Sequence, residues 1–280
     1  MMDVKRDGNP EIGKSVEAAG LSTNYLESGS GVPVVLLHGS GPGVTGYANW
    51  RATIPALAEH FRVIAPDAAG FGYTERRQGQ QYTLDAWLEH ITAFLDVVDV
   101  PKAHFVGNSF GGALTIALAD RHPERVGKFV LMGAAGLKFD LTEGLDAVWG
   151  YEPSVENMRH MMQEHFAFDK TLIKDDLVKS RYEASVRPGF QESFSAMFPA
   201  PRQRHIEALA TPEERIALIE HEALLVHGRD DKVVPMETSL RYNRLLRNSN
   251  LHIFGNCGHW TQIEKKDEFN ALVRDFFLRE

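Results

Sequence analysis

The sequence is poor in cysteine, in basic charge and in long apolar runs. Its single cysteine, Cys257, excludes a disulfide within the chain, and we interpret it as a small packed residue of a cytoplasmic protein. The net charge of −8 predicts no surface for nucleic acid or an anionic membrane. No apolar run approaches the roughly 18 residues of a membrane span, and residues 1–20 lack a signal-like apolar region.

Short apolar runs alternate with helical patterns along most of the 280 residues. This alternation predicts an α/β fold in which helices flank a mostly parallel sheet. The predicted strands are 22–27, 32–37, 61–65, 103–106, 128–132, 223–226 and 251–254, and the predicted helices are 49–60, 84–98, 112–119, 241–246 and one from about residue 266.

The alternation stops near Gly136, and residues 137–210 have a helical pattern rich in methionine and phenylalanine. We interpret this segment as a helical lid inserted into a core formed by residues 1–136 and 211–280. Such a lid packs on the core with its apolar face and encloses a cavity beneath it.

A candidate nucleophile lies in Gly107-Asn108-Ser109-Phe110-Gly111, between a short apolar run and a helix of small residues. G-x-S-x-G between a strand and a helix forms a tight turn that exposes the serine hydroxyl beside the positive end of the helix dipole. The alternative is a glycine-rich turn with an inert serine, because the pattern alone is only moderately specific.

The rest of the chain supplies partners for Ser109. Asp231 and His259 each follow a predicted strand, so all three residues lie where active sites of open α/β sheets collect. The chain order Ser, Asp, His is that of the α/β-hydrolases. Asp231 is favoured over Asp230 because it is the fourth residue of a G-x-x-D loop. His38 is less suited as the base, since it precedes Ser109 and opens a glycine loop.

The glycine loop HGSGPG, residues 38–43, follows the second predicted strand. An oxyanion hole of this type uses the backbone N–H after the nucleophile, here that of Phe110, and one N–H from such a loop. Within the loop, Ser40 and Gly41 are the two candidates. Each donor is typically worth about 3 kcal/mol in the transition state.

The motifs HGSGPG, GNSFGG, HGRDDKVVP and GHWTQIE resemble those of the meta-cleavage product hydrolases, which are α/β-hydrolases that cut carbon–carbon bonds. Within the lid, LDAVWGYEPS, SRYEAS, RPGFQESF and MFPAPRQR resemble the branch that acts on products of monocyclic aromatics. The resemblance covers nearly the whole chain, with no departure at the catalytic positions.

This resemblance implies a 2-hydroxy-6-oxo-hexa-2,4-dienoate substrate and an assembly of identical subunits, as a dimer or a tetramer of dimers. It implies that Arg181 holds the dienoate end, with Asn49 and Asn108 near its carboxylate and hydroxyl, and that Phe166 and Trp260 line the pocket. It implies no metal and no organic cofactor. The alternative functions are an ordinary carboxylesterase and a ligand receptor on the same fold. For the hydrolase, both an acyl-enzyme route and a gem-diol route stay open.

Four residues are candidates for the wall around the group on C6 of the substrate: Ala135, Leu145, Trp149 and Val233. Leu145 and Trp149 are four apart and share one face if their segment is helical. Their bulk predicts a preference for hydrogen or a small alkyl group over phenyl.

Overall fold

The computed structural model describes residues 8–279, and in this part of the chain eight strands form one sheet in the order β1-β2-β4-β3-β5-β6-β7-β8. Strands β1 and β2 pair antiparallel, as do β2 and β4, and the remaining neighbours are parallel. The α/β fold with a mostly parallel sheet is therefore confirmed. The strands are β1 Lys14–Ala18, β2 Leu21–Ser28, β3 Pro33–Leu37, β4 Arg62–Pro66, β5 Ala103–Asn108, β6 Val126–Met132, β7 Ala223–Gly228 and β8 Ser249–Phe254.

The helices that flank the sheet and cover its carboxyl edge are mostly short. They are α1 Gly46–Trp50, α2 Thr53–Ala58, α3 Leu84–Val97, α4 Phe110–Arg121, α5 Glu143–Trp149, α6 Val155–Met161, α7 Asp175–Ser185, α8 Phe190–Met197, α9 Gln203–Leu209, α10 Glu213–Ile216, α11 Met236–Leu245, α12 Thr261–Glu264 and α13 Lys266–Leu278. Among the described residues, no helix is both long and apolar enough to cross a membrane.

The apolar run of β3 is buried on both faces of the sheet. Val35 and Leu37 belong to the core cluster on one face, and Val34 and Leu36 belong to the cluster on the other. Because successive side chains of a strand point to opposite faces, a strand covered on both sides needs apolar residues throughout. This explains why β3 reads as a continuous apolar run.

Strand β1 and the first helices differ from the prediction. The first strand is absent from the predicted set because β1 is a largely exposed edge strand with no apolar run. The predicted helix 49–60 is wrong as a single element. Thr45 caps α1 by accepting a hydrogen bond from Ala48, so the helix begins at Gly46. Pro55, which has no N–H, cannot continue the hydrogen-bond ladder from α1 and lies in α2 instead.

Helices α5 to α9 lie between residues 137 and 210, where the sequence predicts the lid. Most of the methionine and phenylalanine side chains of this segment are buried in the larger core cluster, whereas Phe168 is exposed. A π-helical turn, Met162–Phe166, follows α6 directly. The division into a core of 1–136 and 211–280 and a lid of 137–210 stays a prediction.

Candidate active site

Ser109 lies at the turn between β5 and α4 in a backbone conformation that is rare for a residue with a side chain. Its φ is 52° and its ψ is −113°. Such strain persists only where the surroundings hold it. Here the Ser109 N–H donates to the carbonyl of Met132 at 3.0 Å, and the Ser109 carbonyl accepts from the N–H of Ala135 at 3.0 Å. Strand β6 and the loop after it therefore hold the turn that carries Ser109.

The glycines around Ser109 are required by the close approach of strand and helix. A Cβ on Gly107 would lie 2.4 Å from the carbonyl oxygen of Gly111. A Cβ on Gly111 would lie 2.2 Å from the carbonyl oxygen of Leu37 in β3. The G-x-S-x-G spacing thus lets α4 start directly against the sheet.

The loop after β7 brings Asp231 to His259. The Asp231 Oδ2 atom lies 2.7 Å from Nδ1 of His259, and its Oδ1 accepts from the N–H groups of Val233 at 2.8 Å and Val234 at 3.0 Å. The neighbouring Asp230 instead lies 3.5 Å from Nη2 of Arg229. The geometry therefore pairs Asp231, and not Asp230, with the candidate base.

A second histidine, His227, also contacts Asp231 and was missed in the sequence. Its Nε2 lies 3.3 Å from Asp231 Oδ2, and its Nδ1 lies 2.7 Å from the hydroxyl of Ser239. Burial by itself would favour the protonated acid, but His259 and His227 more than offset it and hold the pKa of Asp231 well below its usual range. Asp231 therefore stays ionised and orients the ring of His259.

His38, the less suited base, and the thiol of Cys257 lie in inert surroundings. Burial lowers the pKa of His38 to about 4. Its Nδ1 donates to the carbonyl of Gly39 at 2.7 Å, and its Nε2 accepts from the N–H of Ala68 at 3.0 Å. Burial also raises the pKa of the Cys257 thiol to about 12. Both residues thus lack the free lone pair or the thiolate that catalysis needs.

Two cavities meet at Ser109. The larger measures about 740 Å³, including space open to solvent, and the smaller measures about 280 Å³. Ser40, Ser109 and Leu145 line both cavities. Among the predicted site residues, the larger cavity is also lined by Gly41, Asn49, Asn108, Phe166, Arg181, Val233, His259 and Trp260, and the smaller one by Phe110, Ala135 and Trp149. A molecule that reaches Ser109 can therefore extend to both sides of it.

Of the four residues predicted for the wall, Ala135, Leu145 and Trp149 line the smaller cavity and Val233 does not. Val233 lines the larger cavity, whereas the next residue, Val234, lines the smaller one with Ala135, Leu145 and Trp149. The loop after β7 turns at this point to bond Asp231, so adjacent side chains face different cavities. The residues of the smaller cavity that the sequence analysis missed are Phe139, Ile206, Leu209 and Val234.

The orientation of Trp149 is fixed on both sides of its ring. Its indole N–H donates to the hydroxyl of Ser40 at 2.9 Å. Its ring stacks on Phe198 with centroids 4.2 Å apart. Trp149 therefore forms a rigid wall of the smaller cavity and also holds the loop that carries a candidate oxyanion donor.

Residues around the larger cavity keep polar atoms without hydrogen-bond partners. Among the described residues, these include the buried Nδ2 of Asn49, Nε of Arg181 and Oε1 of Gln262. Buried polar atoms are nearly always paired in folded proteins, so unpaired ones beside a cavity fit a polar ligand. Gln262 was missed in the sequence, although it lies within the motif GHWTQIE.

The guanidinium of Arg181 already has a carboxylate partner in the protein. Its Nη2 lies 2.6 Å from Oε1 of Glu11, and its Nη1 donates to the carbonyl of Gly43 at 3.3 Å. The other carboxylate oxygen of Glu11 lies 3.0 Å from Nη2 of Arg187. Glu11 therefore fixes the side chain of Arg181 at the wall of the cavity and leaves its Nε–H without a partner.

Phe166 links the helical segment to the loop that carries the candidate base. Its ring stacks on Trp260 and His259, with centroids 4.8 and 5.8 Å apart. Its carbonyl accepts a hydrogen bond from the N–H of His259 at 2.8 Å. Glu264 reinforces the link, because its carboxylate accepts from the N–H groups of Gly258 and Phe168 at 2.8 and 2.9 Å.

No group of three or more His, Cys, Asp or Glu residues suited to a metal ion occurs within residues 8–279.

A strained serine between a strand and a helix, an aspartate hydrogen-bonded to a histidine, and this sheet order are typical of serine hydrolases with the α/β-hydrolase fold. A family model described as alpha/beta hydrolase fold matches residues 32–266.

Proteins of similar sequence and structure place the chain in one group within this class. The chain is 56% identical over 272 residues to 2-hydroxy-6-oxo-2,4-heptadienoate hydrolase of Pseudomonas putida, covering 97% of this chain and 98% of the relative. It is 54% identical to 2-hydroxymuconate semialdehyde hydrolase of Pseudomonas sp. strain CF600, covering 96% and 94%. The solved meta-cleavage product hydrolase from Pseudomonas fluorescens IP01 superposes with a TM-score of 0.95 at 58% identity, covering 96% and 98%. The chain therefore belongs to the α/β-hydrolase family and, within it, to the meta-cleavage product hydrolases.

Proposed function

We propose that the chain hydrolyses the bond between C5 and C6 of 2-hydroxy-6-oxo-hexa-2,4-dienoates that carry hydrogen or a small alkyl group on C6. The products are 2-hydroxypenta-2,4-dienoate and a short carboxylic acid. The observation that carries the proposal is the position of Ser109 between a cavity with unpaired polar atoms and a small apolar cavity. The activities for which the two Pseudomonas relatives are named, hydrolysis of a 2-hydroxy-6-oxo-2,4-heptadienoate and of 2-hydroxymuconate semialdehyde, support this substrate class.

The larger cavity suits the dienoate end of the substrate. The Nε–H of Arg181 and the Nδ2 amide of Asn49 are donors without partners, and a carboxylate is an acceptor. The Oε1 of Gln262 is an acceptor without a partner, and the 2-hydroxyl of the dienol is a donor. The wall therefore complements both polar groups at this end. Asn108 is the remaining amide on this wall, and its Nδ2 donates to the carbonyl of Met132 at 3.3 Å.

The first chemical step converts the dienol into its keto tautomer. The 2-hydroxyl loses its proton and becomes the 2-oxo group, the C2–C3 double bond moves to C3–C4, and the electron pair of the C4–C5 double bond takes up a proton at C5. His259 is the proton carrier in this proposal, since it lines the same cavity as Ser109 and is held by Asp231. Without this step, the electron pair released at C5 on cleavage would have no carbonyl to stabilise it.

Ser109 then attacks C6 and transfers its proton to His259. The oxygen on C6 becomes an oxyanion beside the N–H of Phe110 and that of Ser40 or Gly41. The C5–C6 bond breaks, and its electron pair delocalises onto the 2-oxo group, which is protonated to give 2-hydroxypenta-2,4-dienoate. Water activated by His259 hydrolyses the acyl-enzyme and releases the short acid. The smaller cavity holds the C6 substituent throughout.

Arg181→Gln is expected to lower kcat for the dienoate by about tenfold to a hundredfold, because a charge-assisted hydrogen bond is worth about 1.5–3 kcal/mol. Hydrolysis of p-nitrophenyl acetate should change little, since this ester has no carboxylate. Arg187→Gln is the control, because it breaks the other ion pair of Glu11 but alters no residue of the larger cavity. Equal losses on both substrates would make the role of Arg181 structural.

Val234→Ala is expected to move the preferred C6 substituent from small to larger alkyl groups, because it removes two methyl groups from the wall of the smaller cavity. The change in relative kcat/KM should be about tenfold, at the lower end of the 1–3 kcal/mol of such misfits. Val233→Ala is the matched control, since this neighbour lines the larger cavity. Values of kcat/KM for 6-hydrogen, 6-methyl, 6-isopropyl and 6-phenyl dienoates give the result. An unchanged ranking in Val234→Ala, or wild-type preference for phenyl, would contradict the assignment of this cavity.

Location in the cytoplasm and assembly into dimers or tetramers of dimers stay expectations.

A further inference from the structure

Arg51 lies between the larger cavity and a cleft on the surface. The cleft measures about 790 Å³, including space open to solvent. Ala48, Arg51, Leu177 and Arg181 line both the cleft and the larger cavity. The cleft is therefore continuous with the wall of the cavity at the two arginines.

The positive charge of Arg51 is not matched within the described part of the chain. Among the described residues, the only hydrogen bond of its guanidinium runs from Nη1 to the carbonyl of Ala48 at 3.3 Å, and the guanidinium takes part in no ion pair with a described carboxylate. Glu11, the buried carboxylate of the cleft, is already shared between Arg181 and Arg187. Partial desolvation and the charge of Arg181 lower the pKa of Arg51 and outweigh Tyr47 and Glu11, which raise it.

The cleft contrasts in charge with the rest of the molecule. Its three arginines are Arg51, Arg181 and Arg187 and its two carboxylates are Glu11 and Asp176, so its formal charge is +1. The whole chain carries −8. An anion approaching this protein is repelled by most of its surface, and a local positive cleft raises its concentration at the entrance.

We propose that this cleft is the entrance for the dienoate and that Arg51 binds the carboxylate of the entering substrate before Arg181 receives it. The inference rests on the proposed function, which supplies an anionic substrate. Arg51 remains accessible to solvent, whereas Arg181 lies deeper and is held by Glu11. Two arginines in series let the carboxylate pass from solvent to the cavity without losing a cationic partner.

The test measures association of 2-hydroxy-6-oxo-hepta-2,4-dienoate with Ser109→Ala protein by stopped-flow absorbance, at ionic strengths from about 10 mM to 500 mM. On this background, Arg51→Gln should slow association about threefold to tenfold at low ionic strength and flatten its salt dependence. Arg51→Lys keeps the charge and should keep the salt dependence. Arg247→Gln is the matched control, because Arg247 is exposed and forms no ion pair among the described residues.

The same Arg51 variants with Ser109 intact distinguish a loss of electrostatic attraction of the substrate from structural damage to the site. Hydrolysis of p-nitrophenyl acetate, which is neutral, should be unchanged in Arg51→Gln. Three results would contradict the entrance proposal. They are an unchanged association rate in Arg51→Gln, an equally large decrease in Arg247→Gln, and a loss of ester hydrolysis in Arg51→Gln equal to its loss of dienoate association. Wild-type turnover of the dienoate is measured in parallel: if the wild type failed to cleave it, the proposed function would fail, independently of the entrance.

Discussion

Ser109→Ala is expected to lower kcat for the dienoate by about 10⁴-fold to 10⁶-fold, as removal of the nucleophile does in other serine hydrolases. The variant lacks the only protein atom proposed to bond to C6. The fold should persist, because the hydrogen bonds that hold this turn come from the backbone of Ser109 and not from its hydroxyl. Stopped-flow absorbance should still detect dienoate binding, since Arg181 and Asn49 are unchanged.

Thermal unfolding serves as the control for Ser109→Ala. A Tm close to that of the wild type, together with retained binding, would place the loss in the chemical step. Cleavage at near wild-type rate in a folded Ser109→Ala protein would contradict the nucleophile assignment and would favour direct attack by water.

Asp231→Asn is expected to lower kcat by about 10⁴-fold, because an amide no longer fixes the tautomer of His259 or stabilises its protonated ring. Asp230→Asn is the matched control, one residue away. It should change kcat by less than about threefold, since Asp230 lies against Arg229 rather than against the base. Steady-state kinetics of the two purified variants test the pair, and the reverse ranking would transfer the acid role to Asp230.

Much of the fold was predictable because short-range patterns determine it. A strand covered on both faces, such as β3, must be apolar throughout, and the turn at Ser109 must have small residues where the strand and helix touch. Both requirements appear within a few adjacent residues. Strand β1 was missed because an exposed edge strand has no such requirement.

A residue of the candidate site was predictable where a short motif determines its position. It was not predictable where its contacts depend on how distant segments fold together. Val233 and Val234 are chemically the same, and only the turn of their loop sends them to different cavities. The ion pair between Arg181 and Glu11 joins residues 170 positions apart, and no local pattern indicates it. His227 and Gln262 lie inside motifs that the sequence analysis quoted, but their contacts with Asp231 and Asn49 depend on the packing of separate loops.

The central claim is hydrolysis of a carbon–carbon bond in a dienoate, and product analysis in ¹⁸O-water tests it most directly. Wild-type protein is incubated with 2-hydroxy-6-oxo-hepta-2,4-dienoate, and both products are quantified by mass spectrometry. We expect 2-hydroxypenta-2,4-dienoate and acetate in equal amounts, with the ¹⁸O from water in the carboxylate of acetate. Recovery of intact dienoate from protein that still hydrolyses p-nitrophenyl acetate would contradict the claim and leave an ordinary esterase.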